Sequence, residues 1–157
     1  MATSHSDTLL TCTLSAWSIR RRAASTVKLL LDTHILLWAI DESPLLPKGA
    51  AKLLSNAANA QSASAVNIWE VAIKYARRRG SVNDMPMSGQ DLLADLMGAE
   101  IDILPVSPAH AAAVDELPPL HGDPFDRLLI AQARTESMHL LTHDEKLAAY
   151  GDFVIVV

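Results

Sequence analysis

From residue 27 onward, short apolar runs alternate with longer segments whose apolar positions recur every three or four residues. The first kind predicts strands and the second amphipathic helices. "VKLLLD" predicts a strand ending at Asp32, and "THILLWAID" the helix that continues from it. "PKGAAKLLSNAAN" predicts a second helix with Pro47 in its first turn, a position that tolerates the missing N–H. The small residues of "AQSASAV" suggest a short strand, followed by a helix over "NIWEVAIKYARRRG" with Ile68, Val71, Ala72 and Tyr75 on one face and Gly80 as its stop. Further on, "SGQDLLADLMGA" predicts a helix, "EIDILPV" a strand closed by Pro105, and "SPAHAAAVDEL" a helix capped by Ser107. "DPFDRLLIAQARTES" predicts a long helix, "MHLLTHD" a strand, "EKLAAY" one or two helical turns, and "FVIVV" a last strand.

Strands that alternate with helices predict an α/β fold with a central, mainly parallel sheet covered by helices on both faces. In such sheets ligands bind beyond the carboxyl ends of the strands. No repeat or long linker divides residues 27–157, so they are expected to form one domain. Residues 1–26, rich in Ser and Thr and carrying Arg20, Arg21 and Arg22, show no sustained period and read as a flexible N-terminal extension. Their arginines follow a weak apolar stretch rather than precede it, unlike a secretory signal, and Val27 is an alternative starting residue. Half of the 157 residues are apolar and a fifth charged, as in ordinary globular domains. The net charge of −5 argues against an overall electrostatic grip on nucleic acid, though not against a local basic patch. A lone cysteine, Cys12, cannot form an internal disulfide and suits a reducing cytoplasm. Asp32 and His34 interrupt the best apolar run before it reaches the roughly 18 to 20 residues of a membrane span, so no membrane association is expected.

Asp32 sits inside the apolar stretch "LLLDTHILLW", where an ionised carboxylate is costly unless paired, hydrogen-bonded or bound to a cation. Three further acids hold comparable places: Glu70 in the first turn of its helix, Asp126 at the start of the long helix, and Asp144 just after the fourth strand. At one sheet edge these four would repel one another strongly, and a hard divalent cation removes that repulsion. Each acid taken singly also fits a helix cap or the macrodipole, and Glu70 has Lys74 four residues on as a helical ion-pair partner. His34, His121 and His143 lie near the same edge but lack the paired helical spacing of H-E-x-x-H, so they are assigned to solvent, packing or substrate contacts. Lys74, Arg77, Arg78, Arg79 and Arg127 are candidate phosphate contacts; the alternative for the arginine run is a solvated helix C-terminus. Nucleophile elbow, phosphate loop and dinucleotide fingerprint are all missing from the chain.

"KLLLDTHILLWAI", "SAVNIWEVAIKYARRRG", "DPFDRLLIAQA" and "LLTHDEKLAAY" together resemble PIN-domain ribonucleases, specifically VapC-type toxins of bacterial toxin–antitoxin pairs. The resemblance spans residues 27–157 and implies a three-layer PIN-like fold. It implies metal ligands at Asp32, Glu70, Asp126 and Asp144, with Asp123 able to substitute in part, and Mg²⁺ or Mn²⁺ as cofactor. Thr33 and Ser64 fall on small hydroxyl positions that orient a carboxylate or a phosphate. The implied activity is endonucleolytic RNA cleavage, the implied partners a cognate antitoxin and a second copy of the chain. The antitoxin of such a pair lays a segment over the acids, and Trp38 and Trp69 are candidates for partner surface as well as for ordinary core. Two features depart from the family pattern: the N-terminal extension, and Asn67 where such proteins often carry serine. Two other readings compete, a phosphotransfer protein with Asp32 as nucleophile and a non-catalytic binding module of the same fold.

Overall fold

The computed structural model describes residues 27–81 and 84–157; the extension expected over residues 1–26 lies outside the described residues. Five strands form one sheet: β1 (Lys28–Leu31), β2 (Ala60–Ser64), β3 (Asp102–Leu104), β4 (His139–Thr142) and β5 (Val154–Val156). Its order is β3-β2-β1-β4-β5, and every neighbouring pair is parallel, where the sequence suggested only a mainly parallel sheet. The helices are α1 (Thr33–Ile40), α2 (Lys48–Ser55), α3 (Ala65–Ala76), α4 (Gly89–Gly98), α5 (Pro108–Ala113) and α6 (Pro124–Thr135), with 3-10 turns at Val114–Glu116 and Glu145–Tyr150.

Side chains alternate across the pleat, so the central strands serve two cores at once. Leu29 and Leu31 of β1 and Leu141 of β4 face one core with Ile35 and Leu36 of α1 and Leu92 and Leu96 of α4. Leu30 of β1 and Leu140 of β4 face the other with Leu129 and Ile130 of α6. The two cores make the three layers, and α3 contributes Val71 to the first and Val66 to the second. Helix α2 ends at Ser55, four residues before the expected Asn59, and both boundaries of α3 also differ from the sequence expectation. A capping box starts α3 earlier, because the Ser64 hydroxyl accepts from Val66 N and the Asn67 carbonyl oxygen accepts from Ser64 N. Glu70 therefore lies in the second turn of α3 rather than the first. The helix ends at Ala76, and the Asp84 carboxylate gathers the N–H groups of Arg79, Gly80 and Ser81 at 2.7–2.8 Å into a separate turn. Gly80 occupies that turn at φ +82°, a backbone region glycine enters without strain.

The chain order reverses between β1 and β4. From β1 the strands run outward through β2 to β3, then return to the other side of β1 with β4 and β5. That reversal opens a crevice beyond the carboxyl ends of β1 and β4, which is where Asp32 and Asp144 sit.

Candidate functional site

The register of the two central strands sets the site. Leu31 pairs with Leu141, and Asp32 N donates to Leu141 O at 3.0 Å, so the chain leaves both strands at one level. Asp32 is the residue preceding α1, yet its side chain caps nothing there. Its Oδ2 instead accepts from the Thr142 hydroxyl at 2.6 Å, and Thr142 in turn accepts from Asp144 N at 3.1 Å. Asp32 is 4% exposed, which excludes a surface cap as the reason for its place.

The neighbouring helices bring the remaining acids. A pocket of about 350 Å³ is lined by Asp32, His34, Glu70, Lys74, Asp123, Asp126, His143 and Asp144. Glu70 is buried, with Oε2 accepting from the Thr33 hydroxyl at 2.5 Å and Oε1 paired with Lys74 one helical turn on. Asn67 bonds the same hydroxyl at 2.9 Å and the Leu31 carbonyl at 3.2 Å, tying α3 to the end of β1. Asp123 opens α6 by accepting from Phe125 N at 2.8 Å, and Asp126 lies in the first turn, bonded at 2.7 Å to His121 Nε2. Asp144 accepts from Lys146 N at 2.9 Å, so it caps a turn while facing the pocket.

The electrostatics show the strain of this gathering. Burial pushes Asp32 above the ordinary carboxylate range and the Glu70 charge adds to it, against the lowering effect of the Thr142 hydroxyl and the two nearby imidazoles. Asp126 is raised to about 6, first by burial and then by the charges of Asp32 and Asp123, partly offset by His121. Burial alone would lower Lys74, but the Glu70 hydrogen bond and charge, with Asp123 and Asp126, raise it overall. One lysine against five carboxylates leaves the pocket strongly negative. Hard oxygen donors in excess of their counter-charge fit a divalent cation.

All four acids expected from the sequence line this one pocket, with Asp123 and Lys74 beside them. Thr33 orients a carboxylate. Ser64 and Arg127 are corrections. Ser64 is fully buried, its hydroxyl donating to Gln132 Oε1 at 2.6 Å and accepting from Val66 N at 2.9 Å, and it does not line the pocket. Arg127 turns away from Asp126 and donates to the carbonyls of Pro118, Val114 and Leu117 and to the Tyr150 hydroxyl, at 2.9–3.3 Å. Arg77 lies past the last turn of α3, outside the pocket lining, and Arg78 stacks 3.6 Å over the ring of Tyr75. His34 and His143, placed near this edge by the sequence, line the pocket, whereas Thr142 has no counterpart among the residues the sequence singles out. The signal for the histidines was adjacency, since each lies within two positions of an acid.

The two tryptophans differ. Trp38 packs partly against the first core and against the rings of His34 and His143. Trp69 is 50% exposed, with the Phe125 ring meeting it edge-on. Among the described residues no helix is long and apolar enough to cross a membrane.

Comparison with known proteins agrees with this architecture. The model of the PIN domain family matches residues 29–152. No curated protein matches. Among solved structures, the chain is similar to VapBC2 from Rickettsia felis, bound to a DNA fragment from its promoter, with 19% identity, a TM-score of 0.57, and 83% of this chain and 98% of that one covered. A toxin–antitoxin complex from Klebsiella pneumoniae gives 17% identity and a TM-score of 0.55 over 81% and 95% of the two chains. FitAcB from Neisseria gonorrhoeae gives 16% and 0.54 over 82% and 96%. At these identities the likeness establishes the fold.

Proposed function

Since the chain belongs to the PIN domain family, we propose that it is a divalent-metal-dependent endoribonuclease and the toxin of a toxin–antitoxin pair. The observation that carries this reading is the meeting of Asp32, Glu70, Asp123, Asp126 and Asp144 in one pocket beyond the carboxyl ends of β1 and β4. Phosphodiester hydrolysis needs an activated water and a counter-charge for the phosphate, and a set of carboxylates holding Mg²⁺ or Mn²⁺ supplies both.

Asp32, Asp126, Asp144 and Glu70 are the residues that hold the cation. Thr142 fixes the Asp32 carboxylate, while Thr33 and Asn67 fix that of Glu70, so the donors are oriented before any ion arrives. Lys74, the lysine that lines the pocket, offers its ammonium to the substrate phosphate as well as to Glu70. Toxin–antitoxin complexes among the similar structures support an antitoxin as partner. The half-exposed Trp69, one residue from Glu70, is a surface for that antitoxin or for a second copy of the chain in a homodimer.

The test is cleavage of RNA by purified chain with Mg²⁺ or Mn²⁺, compared with Asp32→Asn and Asp126→Asn. Each substitution is expected to lower the rate by about a hundredfold or more, with the circular dichroism spectrum unchanged. A folded Asp32→Asn variant with full activity refutes the assignment. Growth arrest on expression that vanishes with Asp32→Asn separates a toxin from a housekeeping nuclease.

A further inference from the structure

The acids are only part of what meets at this pocket. His34, in the first turn of α1, and His143, just after β4, line it beside Asp32. One ring nitrogen from each histidine and one carboxylate oxygen of Asp32 lie within 4.8 Å of one another. His143 Nδ1 is 3.9 Å from Asp32 Oδ2. Donors around a tetrahedral Zn²⁺, at bond lengths of roughly 2.0–2.1 Å, stand about 3.4 Å apart. The His143–Asp32 pair stands about 0.5 Å wider than that spacing.

Neighbouring groups back each donor. The Trp38 ring lies 4.8 Å from the His143 ring and 5.8 Å from the His34 ring, and the two imidazoles meet edge-on at 5.1 Å. His34 and Trp38 are four residues apart on α1, so they share a helical face. The Thr142 hydroxyl holds Asp32 from behind, a contact of the kind that orients metal-binding carboxylates.

We propose that Asp32, His34 and His143 form a binding site for a borderline transition cation of the Zn²⁺ class, within the pocket that the carboxylates of Asp126 and Asp144 also line. Imidazole nitrogen prefers such ions, whereas Mg²⁺ keeps oxygen donors and water. Three protein donors leave coordination positions open, as in Zn²⁺ sites that bind a further ligand. A second group, His121, Asp126 and Asp144, also has its donor atoms within 4.8 Å of one another. It offers a single imidazole, already bonded to Asp126, and so lacks the nitrogen pair. The proposal rests on the metal-binding part of the function above and is independent of RNA cleavage.

Titration of the untagged full-length chain with Co²⁺, followed by visible absorption, measures the affinity, and X-ray absorption at the cobalt edge counts imidazole ligands. Both imidazoles are expected on the ion. His34→Ala and His143→Ala are each expected to weaken binding at least about tenfold, and His121→Ala by less than about threefold. Oxygen-only coordination in the wild-type spectrum overturns the proposal, even if a variant fails to fold. So do His34→Ala and His143→Ala chains that bind Co²⁺ like the wild type. Histidine-dependent binding without RNA cleavage sinks the nuclease reading alone, while cleavage with oxygen-only coordination sinks this one alone.

Discussion

A carboxylate in an apolar run is stable only with partners, and those of Asp32 come from a segment 110 residues away in the chain. Thr142 is the link. Its hydroxyl donates to Asp32 and accepts from Asp144 N, so one side chain aligns two acids of the pocket. Thr142→Val keeps the volume and removes that alignment. It is expected to weaken Mn²⁺ binding by about 10- to 100-fold, read by isothermal titration, while the fold persists. Unchanged affinity would show that Asp32 needs no orienting hydroxyl. The acids were legible in the sequence because their residue type and their strand-end placement both carry information. Thr142 was not, since a threonine near a strand end has many ordinary roles and its partner is remote. Arg127 was misread for a simpler reason. Adjacent residues on a helix point about 100° apart, so closeness to Asp126 in sequence places Arg127 on a different face.

That different face matters at the level of elements. Arg127 reaches from α6 to the carbonyls of Val114, Leu117 and Pro118 and to Tyr150, fastening the 3-10 segment after α5 and the turn before β5 to one helix. A hydrogen bond from a charged donor is worth about 1.5–3 kcal/mol as a net effect, and here it adds to carbonyls of which those of Val114 and Pro118 already accept from Leu117 N and Leu120 N. Arg127→Ala is expected to destabilise the chain by about 2–3 kcal/mol in urea unfolding and to leave the salt dependence of RNA binding as it was. A flattened salt slope at unchanged stability would return Arg127 to the phosphate contacts. Element boundaries follow the apolar periods closely in α1, α4 and α6, but α3 ends at Ala76, four residues short of its expected stop at Gly80. They also depart where side chains cap: the Ser64–Asn67 box begins α3 before the periodic run, which moves Glu70 into the second turn. The serine-to-asparagine departure from the family pattern acquires a reason here. Asn67 joins β1, Thr33 and the N-terminus of α3 through one amide.

For the whole molecule, the sheet order explains why acids from four separate segments meet, since β1 and β4 flank the reversal and α3 and α6 start beside it. Alternation of strands and helices made the parallel sheet legible in the sequence, but the order of strands depends on which faces pack. That information is spread over two cores rather than held in any one segment. The gathered charge also sets how the fold answers to pH. Asp126 is raised to about 6 from an ordinary value of 3.8, and Asp32 is raised as well. A carboxyl with a raised value in the fold favours the fold most when protonated in both states, below its unfolded value. That contribution is lost as pH climbs through the folded value. Without divalent cations, stability is therefore expected to fall between pH 4 and pH 7 through Asp126, with Asp32 acting in the same direction. For Asp126 the loss is about 1–2 kcal/mol after allowance for partial solvent screening. Asp126→Asn removes that slope. Saturating Mg²⁺ at pH 7 restores stability, by about 2.7 kcal/mol at a hundred times its dissociation constant, and does little near pH 4, where protons occupy the ligands. Thermal unfolding at several pH values, with and without Mg²⁺, reads both effects. A metal-free chain whose stability rises steadily through pH 6, or one indifferent to Mg²⁺ at pH 7, would mean that these acids do not confront one another as their positions require.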